Sequence, residues 1–234
     1  MGHGDPGPAA THAVAERSLR VVVAGGYGRT GALVVRQLAA AGHQATGLVR
    51  REHQLPRIAA RGATGVLLDL TTVASPDLAR VLAGADALVI ATGSSYGDTA
   101  EEALAIDRDA PITCIDAAVA AAVPHVVLLS AHRTDEDFGD EQTLTVLRAK
   151  RAADAHLRSQ GSLRWIILRP DALSDEEPTG LVKAGERVPQ GSLSRADLAA
   201  VVVAALSTDG SSAQFELTGG HTPVQEAVRR LTRA

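Results

Sequence analysis

Val21-Val22-Val23-Ala24-Gly25-Gly26-Tyr27-Gly28-Arg29-Thr30-Gly31 runs a β-branched segment into glycines spaced G-x-x-G-x-x-G, and an Ala/Leu/Val pattern of helical period follows at once. Each part has a physical reason. A buried strand ends, glycine permits a tight turn that a Cβ would obstruct, and the N–H groups of a helix start are left facing outward with partial positive charge. In that order the stretch predicts a dinucleotide-binding βα unit. Gly25, Gly28 and Gly31 would shape the turn, with Tyr27, Arg29 and Thr30 beside the diphosphate. The alternative is a glycine turn that serves only the chain path.

Downstream, β and α patterns alternate at short intervals. The spacing predicts a helix over 29–41 closed by Gly42, a strand over 44–49, a short helix over 54–61, a strand over 64–68, a helix over 76–82 and a strand over 86–91. A long helix lies within 103–122, its start blurred by Pro111, before a strand at 125–129, a helix at 144–160 and a strand at 164–168. Strands apolar on both faces, set between helices, argue for a parallel sheet covered on each side. That is an α/β, doubly wound Rossmann fold. From Pro170 the regularity breaks: 171–191 reads as an irregular excursion, Ser194 opens a helix, 214–217 is a short strand and 223–231 a last helix. Residues 19–234 read as one domain, with 170–193 and 213–234 as a small C-terminal substrate lobe. Residues 1–18, rich in Gly, Pro, Ala and His, read as a disordered tail in which His3 and His12 are solvated.

Composition narrows the partners. With 45% hydrophobic and 21% charged residues in 234, the chain can bury a sizeable core. A net charge of −4 without a basic patch argues against nucleic acid. No uninterrupted apolar run reaches the ~18 residues of a membrane span. Cys114 is the single cysteine, so an intrachain disulfide is impossible and a reducing, cytoplasmic setting is expected. Lysine occurs only at Lys150 and Lys183, which makes both positions conspicuous.

Coenzyme choice is read at the end of the second strand. An NAD site places a carboxylate there for the ribose 2′-hydroxyl, but here Val49 is followed by Arg50 and Arg51, whose guanidinium groups suit a 2′-phosphate. NADP(H) is the expected coenzyme; a pair of solvated surface arginines is the alternative. Asp69 and Leu70 close the third strand, where an adenine ring is flanked or where Asp69 only caps a turn. Ala91-Thr92-Gly93 closes the fourth strand, where the glycine is expected either for close approach to a ribose or for the turn itself. Strand order should reverse between the first and fourth strands, with the crevice above. Ser94, Ser95 and Tyr96 follow the fourth strand, and Ser130, Ala131, His132 and Arg133 the fifth, and both groups should look into the crevice. Ser130 is a candidate to hydrogen-bond a substrate oxygen and His132 a candidate acid or base, each with a purely structural role as the alternative. Ser194 and Asp197 have capping-box spacing.

In order and spacing, Gly25-x-x-Gly28-x-x-Gly31, Val49-Arg50, Asp69-Leu70, Ala91-Thr92-Gly93, Leu129-Ser130-Ala131, Lys150, Leu168-Arg169-Pro170 and Leu193 to Asp197 together resemble the atypical short-chain dehydrogenase/reductases. Within them, the chain is similar to the epimerase-like and biliverdin reductase B/flavin reductase groups, and Phe215 to Pro223 resembles the epimerase-like ending. The resemblance runs from Leu19 to the C-terminus. It implies an NADP(H)-dependent oxidoreductase acting on a small carbonyl, quinone, flavin or conjugated substrate, with Lys150 on the nicotinamide ribose; a solvated helix lysine is the alternative for Lys150.

One departure stands out. Hydride-transferring relatives use Tyr-x-x-x-Lys, but here Val146 stands four residues before Lys150 and has no proton to give. Tyr96, His132 or water is left as the proton source, so Tyr96, Ser130, His132 and Lys150 form the candidate catalytic set. Flavin reductases of similar sequence also lack the tyrosine, because such acceptors take hydride readily and solvent can supply the proton. A non-redox isomerase, cyclase or dehydratase, or a catalytically silent NADP(H) sensor, is the alternative.

Overall fold

The structure is a computed structural model in which residues 17–233 are described. The strands are β1 (Arg20–Ala24), β2 (Gln44–Val49), β3 (Thr64–Leu67), β4 (Ala87–Ile90), β5 (His125–Leu129), β6 (Arg164–Pro170), β7 (Ala172–Ser174), β8 (Leu181–Gly185), β9 (Ser192–Ser194), β10 (Ala213–Gly219) and β11 (Thr222–Pro223). Among the described residues the main sheet has nine strands, in the order β11-β8-β10-β6-β5-β4-β1-β2-β3. All neighbours from β3 to β10 are parallel, while β8 runs antiparallel to β10 and to β11. The chain reverses direction across the sheet between β1 and β4, and a crevice opens there above the strand ends.

Period-two alternation sorts the strand residues into two layers. Val21 and Val23 belong to the core layer on the side of α1 (Arg29–Ala40), α2 (Leu55–Ala59), α7 (Arg195–Leu206) and α8 (Val224–Thr232), which includes Val34, Leu38, Ile58, Leu198, Val202 and Val228. Val22 and Ala24 belong to the opposite layer, with Leu78 and Leu82 of α3 (Ser75–Leu82), Cys114 and Ile115 of α5 (Ala110–Ala120), and Leu157 of α6 (Glu141–Arg158). Cys114 is wholly enclosed, and burial pushes its thiol pKa up to about 12. Among the described residues no helix is long and apolar enough to cross a membrane.

The long helix near Pro111 is continuous and starts at α4 (Ala100–Leu104), earlier than its apolar pattern indicates. Thr99 starts it: its hydroxyl accepts the Glu102 N–H at 3.2 Å, and its own N–H donates to the Glu102 carboxylate at 2.8 Å. A π turn over Ala105–Asp109 then joins α4 to α5. Pro111 lacks an N–H for residue 107, and its ring would strike that carbonyl in an α-helix; the wider turn relieves both.

Two expectations need correction. Residues 171–191 are not an irregular excursion: β7 pairs with β9, and β8 joins the main sheet with Val182 buried and Lys183 outward. The C-terminal lobe is accordingly a continuation of the same sheet through β10, β8 and β11. At the other end, Arg17 and Ser18 are held to the domain. Arg17 donates to Asp86 at 2.8 Å and the Ser18 hydroxyl donates to Gly42 O at 2.7 Å. The expected tail otherwise lies outside the described residues.

Candidate coenzyme crevice

The glycine turn closes only because side chains are missing. Gly25 has φ +79°, and a Cβ on it would lie 2.8 Å from Ala91 O; a Cβ on Gly31 would lie 2.2 Å from Gly25 O. This is the close approach of helix start and strand that the spacing implies. Gly28 is the N-cap of α1, with extended backbone and no side chain to cap the helix. No acidic residue occupies the first turn either, so its N–H groups and the positive end of the helix are left for an external anion.

A cleft of about 570 Å³ spreads over this turn and the ends of β1, β2, β3 and β4. Its lining includes Gly25, Tyr27, Gly28, Arg50, Arg51, Asp69, Leu70, Ala91, Thr92 and Gly93, with Asp98 and Glu102 of the β4–α4 connection and helix also present. Arg50 and Arg51 are both exposed at the end of β2. The Arg51 N–H donates to Oε1 of buried Gln54 at 3.1 Å, which fixes the chain there while leaving the guanidinium group free of it. Arg57 lies 5.9 Å from the centre of the Tyr27 ring. Arg29 is exposed and Thr30 half-buried at the start of α1, outside the lining. Gly31 is buried beneath them.

Asp69 caps a turn and also lines the cleft. Its Oδ1 accepts the Thr71 N–H at 3.0 Å and the Thr71 hydroxyl at 2.7 Å. The Thr71 N–H holds the carboxyl below its usual range, with a smaller contribution from the Arg50 charge.

The candidate catalytic residues do not converge. Lys150 Nζ sits 2.8 Å from Oδ1 of Asp107, a side chain with no exposed surface. Oδ2 of the same carboxylate accepts the Ser94 N–H at 3.2 Å and the Ser94 hydroxyl at 2.5 Å. Asp107 is absent from the residues singled out in the sequence. Its one signal is an acid within a helix whose neighbours Ala103, Ala110 and Cys114 are buried.

His132 is buried, with Nε2 at 3.0 Å from Val188 O and 3.1 Å from Glu216 Oε2, and Nδ1 at 3.7 Å from Asp171 Oδ1. It ties the end of β5 to β10 and to the turn after β8, and it is not part of the cleft lining. Ser130 is buried at the end of β5 near Asp154, whose carboxyl is raised by burial against the opposing charge of Arg169. Arg169 Nε donates to Asp154 Oδ2 at 3.0 Å, so this corner is a buried ion pair. Tyr96, expected on the crevice side, is instead 96% exposed at the tip of the loop after β4, next to Gly97 at φ +100°.

An uncapped helix start, an open glycine turn and a strand-end cleft at the reversal point fit a dinucleotide, and together they define a nucleotide-binding Rossmann protein. Residues 25–209 match the NAD(P)H-binding family, and the chain belongs to it. An uncharacterized sugar epimerase of Bacillus subtilis is 32% identical over 192 residues, 81% of this chain and 88% of the relative. A Bacillus halodurans protein assigned to the NAD-dependent epimerase/dehydratases has a solved structure similar at TM-score 0.85 and 30% identity, covering 92% of this chain and 100% of that one. An oxidoreductase from Lactococcus lactis is similar at TM-score 0.80 and 25% identity, covering 90% of this chain and 95% of its own. The protein is thus an atypical NAD(P)-binding member of the oxidoreductase/epimerase–dehydratase type.

Proposed function

We propose that the protein is an NADPH-dependent oxidoreductase acting on a small carbonyl, quinone, flavin or conjugated acceptor in the cytoplasm. The observation that carries the coenzyme choice is the exposed Arg50–Arg51 pair lining the cleft at the end of β2, where a carboxylate would repel a 2′-phosphate. When bound, the coenzyme supplies the hydride. The chain supplies the rest: the start of α1 and the glycine turn hold the diphosphate, the two arginines select the phosphorylated adenosine, and Lys150 holds the nicotinamide ribose. With Val146 at the phenol position, Tyr96 in solvent and His132 engaged by Glu216 and Val188, solvent is the proton source. Acceptors that need little acid catalysis fit such a site best.

The test is a titration of both coenzymes into the parent and an Arg50→Ala/Arg51→Ala variant. Loss of charge-assisted bonds to the 2′-phosphate should weaken NADPH by roughly ten- to a hundredfold. NADH affinity should stay within about twofold, because NADH offers no such phosphate. Equal affinities of the parent for the two coenzymes would refute the choice. Consumption of NADPH is then followed by absorbance across quinone, flavin and carbonyl panels. The second reading, non-redox chemistry on the same fold, draws on the Bacillus subtilis relative's naming as a sugar epimerase. Tight binding without consumption on every panel would favour it or a sensor.

A further inference from the structure

Lys150 is held from behind. Its ammonium faces the buried Asp107 carboxylate at 2.8 Å, and the other carboxylate oxygen receives both donors of Ser94. Three elements meet on this one side chain: the π turn, the loop leaving β4, and α6. A Cβ on Gly93 would lie 3.9 Å from Asp107 Oδ1, while Gly93, Ala105 and Ile106 line the cleft. The ion pair therefore sits directly behind the cleft wall where β4 ends. A fully buried carboxylate is retained at a cost unless it is paired and hydrogen-bonded, and here it is both. Pro111, by widening the helix, sets the local path of the turn that carries Asp107.

We propose that Asp107 is a positioning and charge-balancing residue for the coenzyme. It pins the Lys150 ammonium against the end of β4 and cancels its charge, so that the reacting half of the cleft accepts the oxidised coenzyme as well as the reduced one. This rests on the coenzyme reading above. The oxidised nicotinamide carries a positive charge that the reduced ring lacks. An unbalanced ammonium nearby would disfavour the oxidised form, whereas a Lys–Asp pair is neutral as a unit. Arg50 and Arg51 meet the same phosphate in either form and do not discriminate between them.

The experiment measures dissociation constants of the oxidised and reduced phosphorylated coenzymes for the parent, Asp107→Asn, Lys150→Met and the double variant. Asp107→Asn leaves the ammonium unbalanced and should weaken the oxidised form relative to the reduced by roughly three- to tenfold. Lys150→Met leaves the carboxylate unbalanced and should move the ratio the opposite way. The double variant should return it to within about twofold of the parent. A purely structural role predicts that both single changes weaken both forms equally, and that result overturns the proposal. Should Asp107→Asn fail to fold, Lys150→Met decides alone: a ratio shifted toward the oxidised form supports the proposal, and an unmoved ratio overturns it. A parent that binds neither form sinks the nucleotide reading itself, which is distinct from a parent that binds both while the ratios stay fixed.

Discussion

The methyl group that Gly31 lacks would sit 2.2 Å from the Gly25 carbonyl oxygen, so the turn tolerates no side chain there. That requirement is local, and the glycine spacing announces it. The same holds for Arg50 and Arg51, whose place follows from the strand before them. Asp107 is different, because its partners Ser94 and Lys150 come from other elements and no spacing marks them. His125 offers a test at the far end of the sheet. It begins β5, with Nδ1 3.4 Å from an Arg164 nitrogen; burial first, and the Arg164 charge second, push its pKa down to about 3. An unfolded chain would protonate it near pH ~6.5. Between those values the unfolded state binds a proton that the folded state refuses, so stability is full above pH ~6.5 and falls as pH drops, by up to about 1.4 kcal/mol per pH unit. Urea titrations from neutral to acid pH should show a shallower loss for His125→Gln than for the parent. Identical pH slopes would remove His125 from the account.

At the scale of elements, α7 shows how a local motif acquires a distant task. Ser194 caps the helix by accepting the Asp197 N–H at 3.0 Å, as the spacing implies. Asp197 then reaches out of the helix to accept the Thr179 N–H at 2.9 Å and the Gly180 N–H at 2.8 Å, holding the chain as it enters β8. This clamp helps to explain why 171–191 contains strands: once the entry is fixed, β8 completes its hydrogen bonds on β10 and β11. Asp197→Ala would leave part-buried donors unmet and should cost about 2–4 kcal/mol in chemical denaturation. Amide exchange at Gly180 to Lys183 should quicken in the same variant. Unchanged protection across β8 would show that the clamp is dispensable. The π turn likewise needed its context, since Pro111 alone reads only as a disturbance in a helix.

Across the whole molecule, one sheet carries both the nucleotide half and the C-terminal strands, and α1 packs directly on α7. A Gln37 side-chain N–H donates to Ala196 O at 2.9 Å across that contact. A ligand gripping the start of α1 therefore pulls on an element that is shared by both halves, and binding should stabilise the fold as a unit. At a hundred times its dissociation constant, NADPH should add about 2.7 kcal/mol. For a chain of this size that raises the unfolding temperature by roughly 5–10 °C. NADH at the same concentration should raise it less, and a melting curve indifferent to both coenzymes would contradict the site.

The amino-acid order alone determined the alternating α/β architecture, the glycine turn and the arginine pair, because backbone sterics and hydrophobic period act between near neighbours in the chain. Tertiary structure alone decided that Lys150 is matched by Asp107, that His132 is locked under Glu216, that Tyr96 points into water and that the C-terminal segment extends the sheet. Those outcomes depend on which surfaces of distant elements are pressed together and on which buried charges must then find a partner.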